Sequence, residues 1–274
     1  MIAGTVAADL LAGSAAPWSR LAAHPFIAQA GDGSLGRGSF DRWLVADHFF
    51  VVGFRRLLTG LVTLAPDEHA ADALATGLGT LQAELDLFRR EAAARGLDLD
   101  TEPGPIALGY TAFLRASLQD GYPVALAVLY GAEKAYFDAW SAVRATARRD
   151  SEYWPFVDSW SSPAFAHGVA SIAGLLDAIA PDGPTAAMRA SFDRVVRFEL
   201  RFWSAAQCTP ATRGDGAGAG GRPLGGRRKA PAGVRGADRC QRSRPPGDHG
   251  GCHLTAPDRP DRDHGESRPR SSTP

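Results

Sequence analysis

The stretch from Val124 to Trp140, VALAVLYGAEKAYFDAW, limits the fold more than any other in the chain. It is apolar almost throughout, holds no proline and is too long for a buried strand, so its Ala and Leu content argues for a helix. The apolar residues run nearly all the way round, which describes a helix enclosed by other helices rather than one laid on a surface. One acid interrupts that wall: Glu133, with Tyr130 three positions before it and Tyr136 three after. Residues three apart share a helix face, so the three are expected to form one polar-tipped stripe. A carboxylate among aromatics is costly unless paired or neutralised, which makes Glu133 a candidate for function. The structural alternative is a Glu that reaches the bundle surface or pairs with an Arg, and spacing alone leaves both readings open.

The flanking sequence reads as more helices. Val6 to Leu11 opens the chain, and Ala16 to Gln29 follows with Trp18, Leu21 and Ile27 apolar and Pro25 bending or breaking it. The run from Gly31 to Leu35 is a turn, and Ser39 is expected to cap a strongly apolar helix from Phe40 to Leu64. Pro66-Asp67-Glu68 starts another that Gly96 ends near Arg95, with Leu74, Leu78, Leu81, Leu85 and Phe88 on one face and Glu84 at its border. A helix carrying Tyr110, Phe113 and Leu114 then leads to the central one. Ser151 to Trp160 is short and aromatic, and Pro163 to Ile179 and Pro184 to Ala206 complete the series. No stretch alternates with period two over a useful length, so the expected class is all-α, a multi-helix bundle.

Composition shifts abruptly near residue 208. Residues 209–274 contain no Phe, Tyr or Trp, and Gly, Pro, Arg, Asp and Ser dominate, a mixture that cannot bury enough apolar area to offset ordering entropy. The expected organisation is a folded helical domain over 1–208 and a disordered, low-complexity basic tail over 209–274, which resembles a GC-rich reading frame continued past the end of the fold. The zero net charge conceals this split: residues 1–208 carry 17 basic and 23 acidic side chains, net −6, and the tail 13 and 7, net +6. The acidic folded part offers no basic field for a phosphate backbone, so no nucleic-acid partner is expected. Cys208, Cys240 and Cys252 all lie outside the core, which argues against a disulfide framework and against a cysteine nucleophile within it. With no secretory signal pattern and no apolar segment of membrane-spanning length, the expectation is a cytoplasmic protein that does not enter membranes.

Three acids fall where helical patterning expects burial: Asp47 between Trp43 and Phe54, Glu133, and Glu199 in FDRVVRFELRFW. Two carboxyls in one pocket repel, so one is pushed toward its protonated form, and a single residue type then supplies both an acid and a base. A di-iron site would require Glu-x-x-His on two helices, but Tyr136 follows Glu133 and Phe202 follows Glu199 at that spacing, so no metal and no cofactor is expected. His24, in His-Pro-Phe at a helix break, reads as structural. His48 points about 100° away from Asp47 and is expected at a seam or in solvent. No Gly-x-Ser-x-Gly elbow and no phosphate-binding glycine loop occurs.

These residues in order, Trp18…His24-Pro25-Phe26, Asp32-Gly33-Ser34-Leu35, Phe40-x-x-Trp-Leu-x-x-Asp47, Tyr110-x-x-Phe113-Leu114, Tyr136, Phe156 to Phe165 and Phe192…Glu199-x-x-Phe202-Trp203, resemble the TenA/thiaminase II family across 1–207. The resemblance implies a haem-oxygenase-like bundle, commonly a homo-oligomer such as a dimer or tetramer, that salvages the pyrimidine half of thiamin. It implies that Asp47 grips an aminopyrimidine and that Glu199 is the C-terminal catalytic glutamate. Phe50 stands where the family has a tyrosine, Tyr110 and Tyr136 match pocket tyrosines, and Trp160 replaces another. The family's cysteine nucleophile falls at Ala132, beside Glu133, as in a cysteine-lacking branch that acts on aminopyrimidine amines and amides. The implied activity is hydrolysis of an aminomethyl- or formylaminomethyl-pyrimidine. Glu199 would be acid, Glu133 base, Asp47, Phe50, Tyr110, Tyr136 and Trp160 binding residues, and Glu84 would stand behind them. A haem-oxygenase-like oxidase and a non-catalytic pyrimidine-binding bundle are the alternatives.

Overall fold

In the computed structural model, residues 5–208 are described. Among them ten helices follow one another with no strand: α1 (Val6–Gly13), α2 (Ala15–Ala22), α3 (Pro25–Asp32), α4 (Arg37–Leu64), α5 (Glu68–Arg95), α6 (Pro105–Ser117), α7 (Tyr122–Thr146), α8 (Trp154–Trp160), α9 (Pro163–Ile179) and α10 (Ala186–Gln207). A single 3-10 turn, Leu118–Asp120, joins α6 to α7. The expectation of a disordered 209–274 tail lies outside the described residues.

The central helix is α7. It packs against α10 on one side, α3 and α2 on another, and α4, α8 and α9 on the rest. This encirclement is why its residues from Val124 to Ala132 are buried without a break. Local chemistry sets most boundaries. The Asp67 side chain accepts the Ala70 N–H at 2.8 Å to start α5, and Gly96, at φ 68°, closes it in the left-handed conformation that glycine adopts without strain. Pro25 breaks the expected second helix rather than bending it, because it takes the first position of α3, where its missing N–H costs nothing. His24 caps that helix: its Nδ1 accepts the Phe26 N–H at 3.2 Å. Since the Ser204 hydroxyl donates to the Leu200 carbonyl, the His24 Nε2–H is left to donate to Ser204 Oγ at 3.0 Å. Burial, aided by the charge of Arg20, pushes the His24 pKa down to about 4, which keeps the imidazole neutral in this capping role.

Three expectations need correction. Ser39 does not cap α4. The Gly36 carbonyl takes the first helical hydrogen bonds, from Ser39 and Phe40, and the Ser39 hydroxyl accepts from Arg42 instead. Tyr130, Glu133 and Tyr136 do not share one stripe, because two steps of three residues sweep about 240° past a full turn. Tyr130 faces Phe192 on α10, whereas Tyr136 faces Trp160 and Trp203. The run Trp154–Ile179 is long and apolar enough to cross a membrane by composition, contrary to the sequence reading. In the structure Ser161 and Ser162 interrupt it, giving α8 and α9.

The core is aromatic. Trp43 is fully buried and meets Phe40, Trp140 and Phe156 at centroid distances of 5.0, 5.2 and 5.2 Å. Such ring pairs add about 0.5–1.5 kcal/mol each beyond area burial. Trp160 and Trp203 join this block to Tyr136, at 5.4 Å each.

Candidate active site

Asp47 and Glu199 are wholly buried, each with 0% exposure. Each is held by a tyrosine. The Tyr136 hydroxyl donates to Asp47 Oδ1, and the Tyr110 hydroxyl donates to Glu199 Oε1 at 2.6 Å. The second oxygens, Asp47 Oδ2 and Glu199 Oε2, have no partner. Two close helix approaches create this arrangement. A Cβ at Gly53 would lie 2.2 Å from Thr111 Cγ2, so α4 can approach α6 only through glycine, and that contact lets Phe50 pack on Tyr110 at 4.7 Å. A Cβ at Gly131 would meet Val195 Cγ1 at 3.1 Å, which draws α7 against α10.

A small cleft adjoins this buried pair. It is lined by Phe50, Val51 and Phe54 from α4, Glu84 from α5, Ala132, Glu133 and Tyr136 from α7, Trp160 from α8 and Phe165 from α9. Its volume is about 30 Å³, room for roughly two water molecules. Tyr136 joins the two layers, since its ring lines the cleft and its hydroxyl reaches Asp47. Phe50 stacks parallel to Tyr136 at 6.3 Å, and Trp160 meets the same ring edge-on at 5.4 Å.

Burial is the main electrostatic force on all four acids. It raises Asp47 well above the usual carboxylate range; the Tyr136 hydrogen bond opposes this, and the charges of Glu199 and Glu84 reinforce it. Glu199 is pushed up to about 8 by burial against the pull of the Tyr110 hydroxyl. In the cleft, Glu133 rises to about 8 through burial and then the charge of Glu84, and Glu84 rises to about 7 through burial, opposed by the Trp160 indole N–H. At neutral pH these acids therefore hold protons. They can donate them to a leaving group and can ionise further when a cation enters.

The sequence-based residues thus occupy two layers rather than one hollow. Glu133, Tyr136, Phe50 and Trp160 line the cleft, whereas Asp47, Glu199 and Tyr110 lie outside its lining. Tyr110 stacks on Phe198 at 4.8 Å and 2° from parallel, and Phe50 meets it tilted by 42° at 4.7 Å, so one face of its ring is already taken. Glu84 does not stand behind the other residues but forms part of the cleft wall beside Glu133. Phe54 and Phe165 were missed. Phe54 falls seven residues after Asp47 and four after Phe50, a spacing that does place it on their face; nothing in the local pattern singles out Phe165. His48 sits half-buried at a seam, against the Phe88 ring at 6.0 Å. Among the described residues, no group of three or more His, Cys, Asp or Glu side chains is placed to hold a metal ion.

Fold and site together define a class: an all-helical protein in which one enclosed helix presents acids and tyrosines to a small aromatic cleft. Residues 14–209 match the TENA/THI-4/PQQC family, and the chain belongs to it. It is similar to a TenA homologue of known structure from Pyrococcus furiosus, at 28% identity and a TM-score of 0.71, covering 73% of this chain and 99% of that one. Among curated relatives, the "Probable bifunctional TENA-E protein" of Glycine max is 22% identical over 192 residues, 66% of this chain and 84% of that protein. The "Aminopyrimidine aminohydrolase" of Halalkalibacterium halodurans is 30% identical over 104 residues, 36% of this chain and 46% of the relative, so this match spans under half its length.

Proposed function

We propose that the chain is a thiamine-salvage hydrolase that converts an aminomethyl- or formylaminomethyl-pyrimidine to the hydroxymethyl-pyrimidine without a cysteine nucleophile. One observation carries this reading. Asp47 and Glu199 are completely buried, each is oriented by a tyrosine, and each keeps one carboxyl oxygen unpartnered. A buried polar atom left without a partner costs about 1–3 kcal/mol, a cost that a ligand supplying the missing partner removes. The name of the Halalkalibacterium halodurans relative supports the substrate class. Ala132 in the cleft wall, where the resemblance implies a cysteine, supports the cysteine-free branch.

In this reading Asp47 pairs with the exocyclic amine and a ring nitrogen of the pyrimidine, and Phe50, Tyr136 and Trp160 stack around the ring. The cleft must widen to admit it, with Trp160 at the end of the short helix α8 and Phe165 in the first turn of α9 as the walls that yield. Glu199, kept protonated at neutral pH by burial, supplies a proton to the departing nitrogen, and Glu133, in its ionised fraction, accepts the proton of the attacking water. The C–N bond breaks with its electron pair going to nitrogen, and water's oxygen forms the new C–O bond. The resemblance also implies a dimer or tetramer, which light scattering of the purified chain would test against a monomer mass.

The test is product formation. The full chain is incubated with thiamin, the aminomethyl-pyrimidine and its formyl derivative, and the hydroxymethyl product is measured. We expect turnover of at least one of the two pyrimidines, and a loss of about 10²–10⁴-fold in Glu199→Gln, the range for removal of a general acid. Absence of product from every substrate, or full turnover by Glu199→Gln, refutes the proposal.

A further inference from the structure

Three tryptophans of the aromatic core, Trp43, Trp140 and Trp203, are fully buried, and the indole N–H of each has no hydrogen-bond partner. A buried donor of this kind normally finds an acceptor, as Trp18 does on Asp138 at 3.0 Å. Trp43 differs from the other two in its place. It stands four residues before Asp47 on α4, on the same helix face. It meets the Trp160 and Trp203 rings at 5.9 and 6.2 Å, and Tyr136 meets the same two rings at 5.4 Å each. Trp43 and Tyr136 are thus neighbours around one pair of indoles, and the Trp43 N–H faces the Tyr136 hydroxyl, though it stops short of a hydrogen bond. Burial, the charges of Asp47 on α4 and Glu199 on α10, and the bond to Asp47 all raise the Tyr136 pKa; the Trp43 N–H alone pulls against them. The second tyrosine–carboxyl pair lacks such a donor, since Tyr110 is acted on by burial and by Glu199 and Asp47 only.

We infer that Trp43 is a positioning residue for Asp47: its N–H faces the Tyr136 oxygen and so commits that hydroxyl's proton to Asp47 Oδ1, leaving Oδ2 as the acceptor for a ligand amine. This inference rests on the hydrolase reading above and adds a residue to it. A phenol hydroxyl has one proton to donate and lone pairs with which to accept. Burial favours a protonated Asp47, which can donate to the Tyr136 oxygen and reverse the bond. A donor already facing that oxygen opposes the reversal and keeps Asp47 on the accepting side. Trp43 lies outside the cleft lining and acts only through Tyr136, whose ring belongs to it. The two carboxyls thereby differ by one donor: Asp47, with Trp43 behind its tyrosine, is set to accept from a ligand, and Glu199, without one, is left to give its proton.

The experiment has two arms, both on the full chain. In the first, heteronuclear NMR follows the indole N–H signals, with Trp43 assigned through its contacts with Phe40 and Phe156. Tyr136→Phe removes the hydroxyl and keeps the ring, so the Trp43 indole proton should move upfield. A Trp43 signal indifferent to the loss of the hydroxyl overturns the inference and leaves the hydrolase reading intact. In the second arm, KM and kcat for the aminomethyl-pyrimidine are measured in Trp43→Phe, Tyr136→Phe and the double variant. We expect Trp43→Phe to raise KM roughly three- to tenfold with kcat within about twofold, and to add nothing in the Tyr136→Phe background. An equal rise in KM in both backgrounds would mean that Trp43 only packs the core, and the inference is overturned. If even the wild type forms no product, the hydrolase reading falls, and the NMR arm decides the role of Trp43 by itself. That arm needs no change at Trp43, so it decides equally if Trp43→Phe fails to fold.

Discussion

Replacing Glu199 with Gln should change how stability depends on pH, and the structure sets both sign and size. The carboxyl is fully buried and its folded pKa lies near 8, against 4.5 for the ordinary value. Between those two pH values the folded chain holds a proton that the unfolded chain has lost. Folding stability therefore falls as pH rises through this window, and the contribution is fully present only below the unfolded pKa. Each pH unit costs about 1.4 kcal/mol, so from pH 5.5 to 7.5 this one group removes about 3 kcal/mol. Gln cannot titrate, and its Oε1 can still accept from Tyr110. The stability of Glu199→Gln relative to wild type should therefore climb by about 3 kcal/mol across that window, equivalent to about 5–10 °C in melting temperature for a domain of this size. Urea denaturation followed by circular dichroism at pH 5.5, 6.5 and 7.5 measures it. A difference that stays constant over all three would mean that Glu199 is ionised and paired in the folded protein, and the account of a proton-storing site would fail with it.

Tyr110→Phe removes the donor that holds the Glu199 pKa down, so the alkaline limb of the kcat profile should move to higher pH; an unmoved limb would detach Tyr110 from the acid. Gly53→Ala forces a methyl group against Thr111 where α4 meets α6, and a loss of about 1–3 kcal/mol is expected in urea denaturation, partly restored by adding Thr111→Ala. No loss would show that the close approach of the two helices is not what seats Phe50 on Tyr110.

Much of this protein could be read from local sequence, because local chemistry decides it. Asp67 and Gly96 bound α5 as their side-chain oxygen and positive φ require, and Pro25 divides two helices for lack of an N–H. Asp47 and Glu199 were legible as buried acids because each stands within an apolar helical face whose own periodicity demands a packed neighbour. That inference needs only one helix at a time. Which acids meet does not follow from any single helix. Tyr130 and Tyr136 look equivalent around Glu133, but rotation along α7 sends Tyr130 to Phe192 and Tyr136 to the cleft. Glu84 borders its helix's apolar face in the sequence and becomes a cleft wall only because α5 lies across from α7 at that level. The helical periodicity of each segment fixed what had to be buried. The crossings at Gly53 and Gly131, which depend on partners far away in the chain, decided which tyrosine holds each carboxyl, which carboxyls share a cavity, and how far burial lifts each one's pKa.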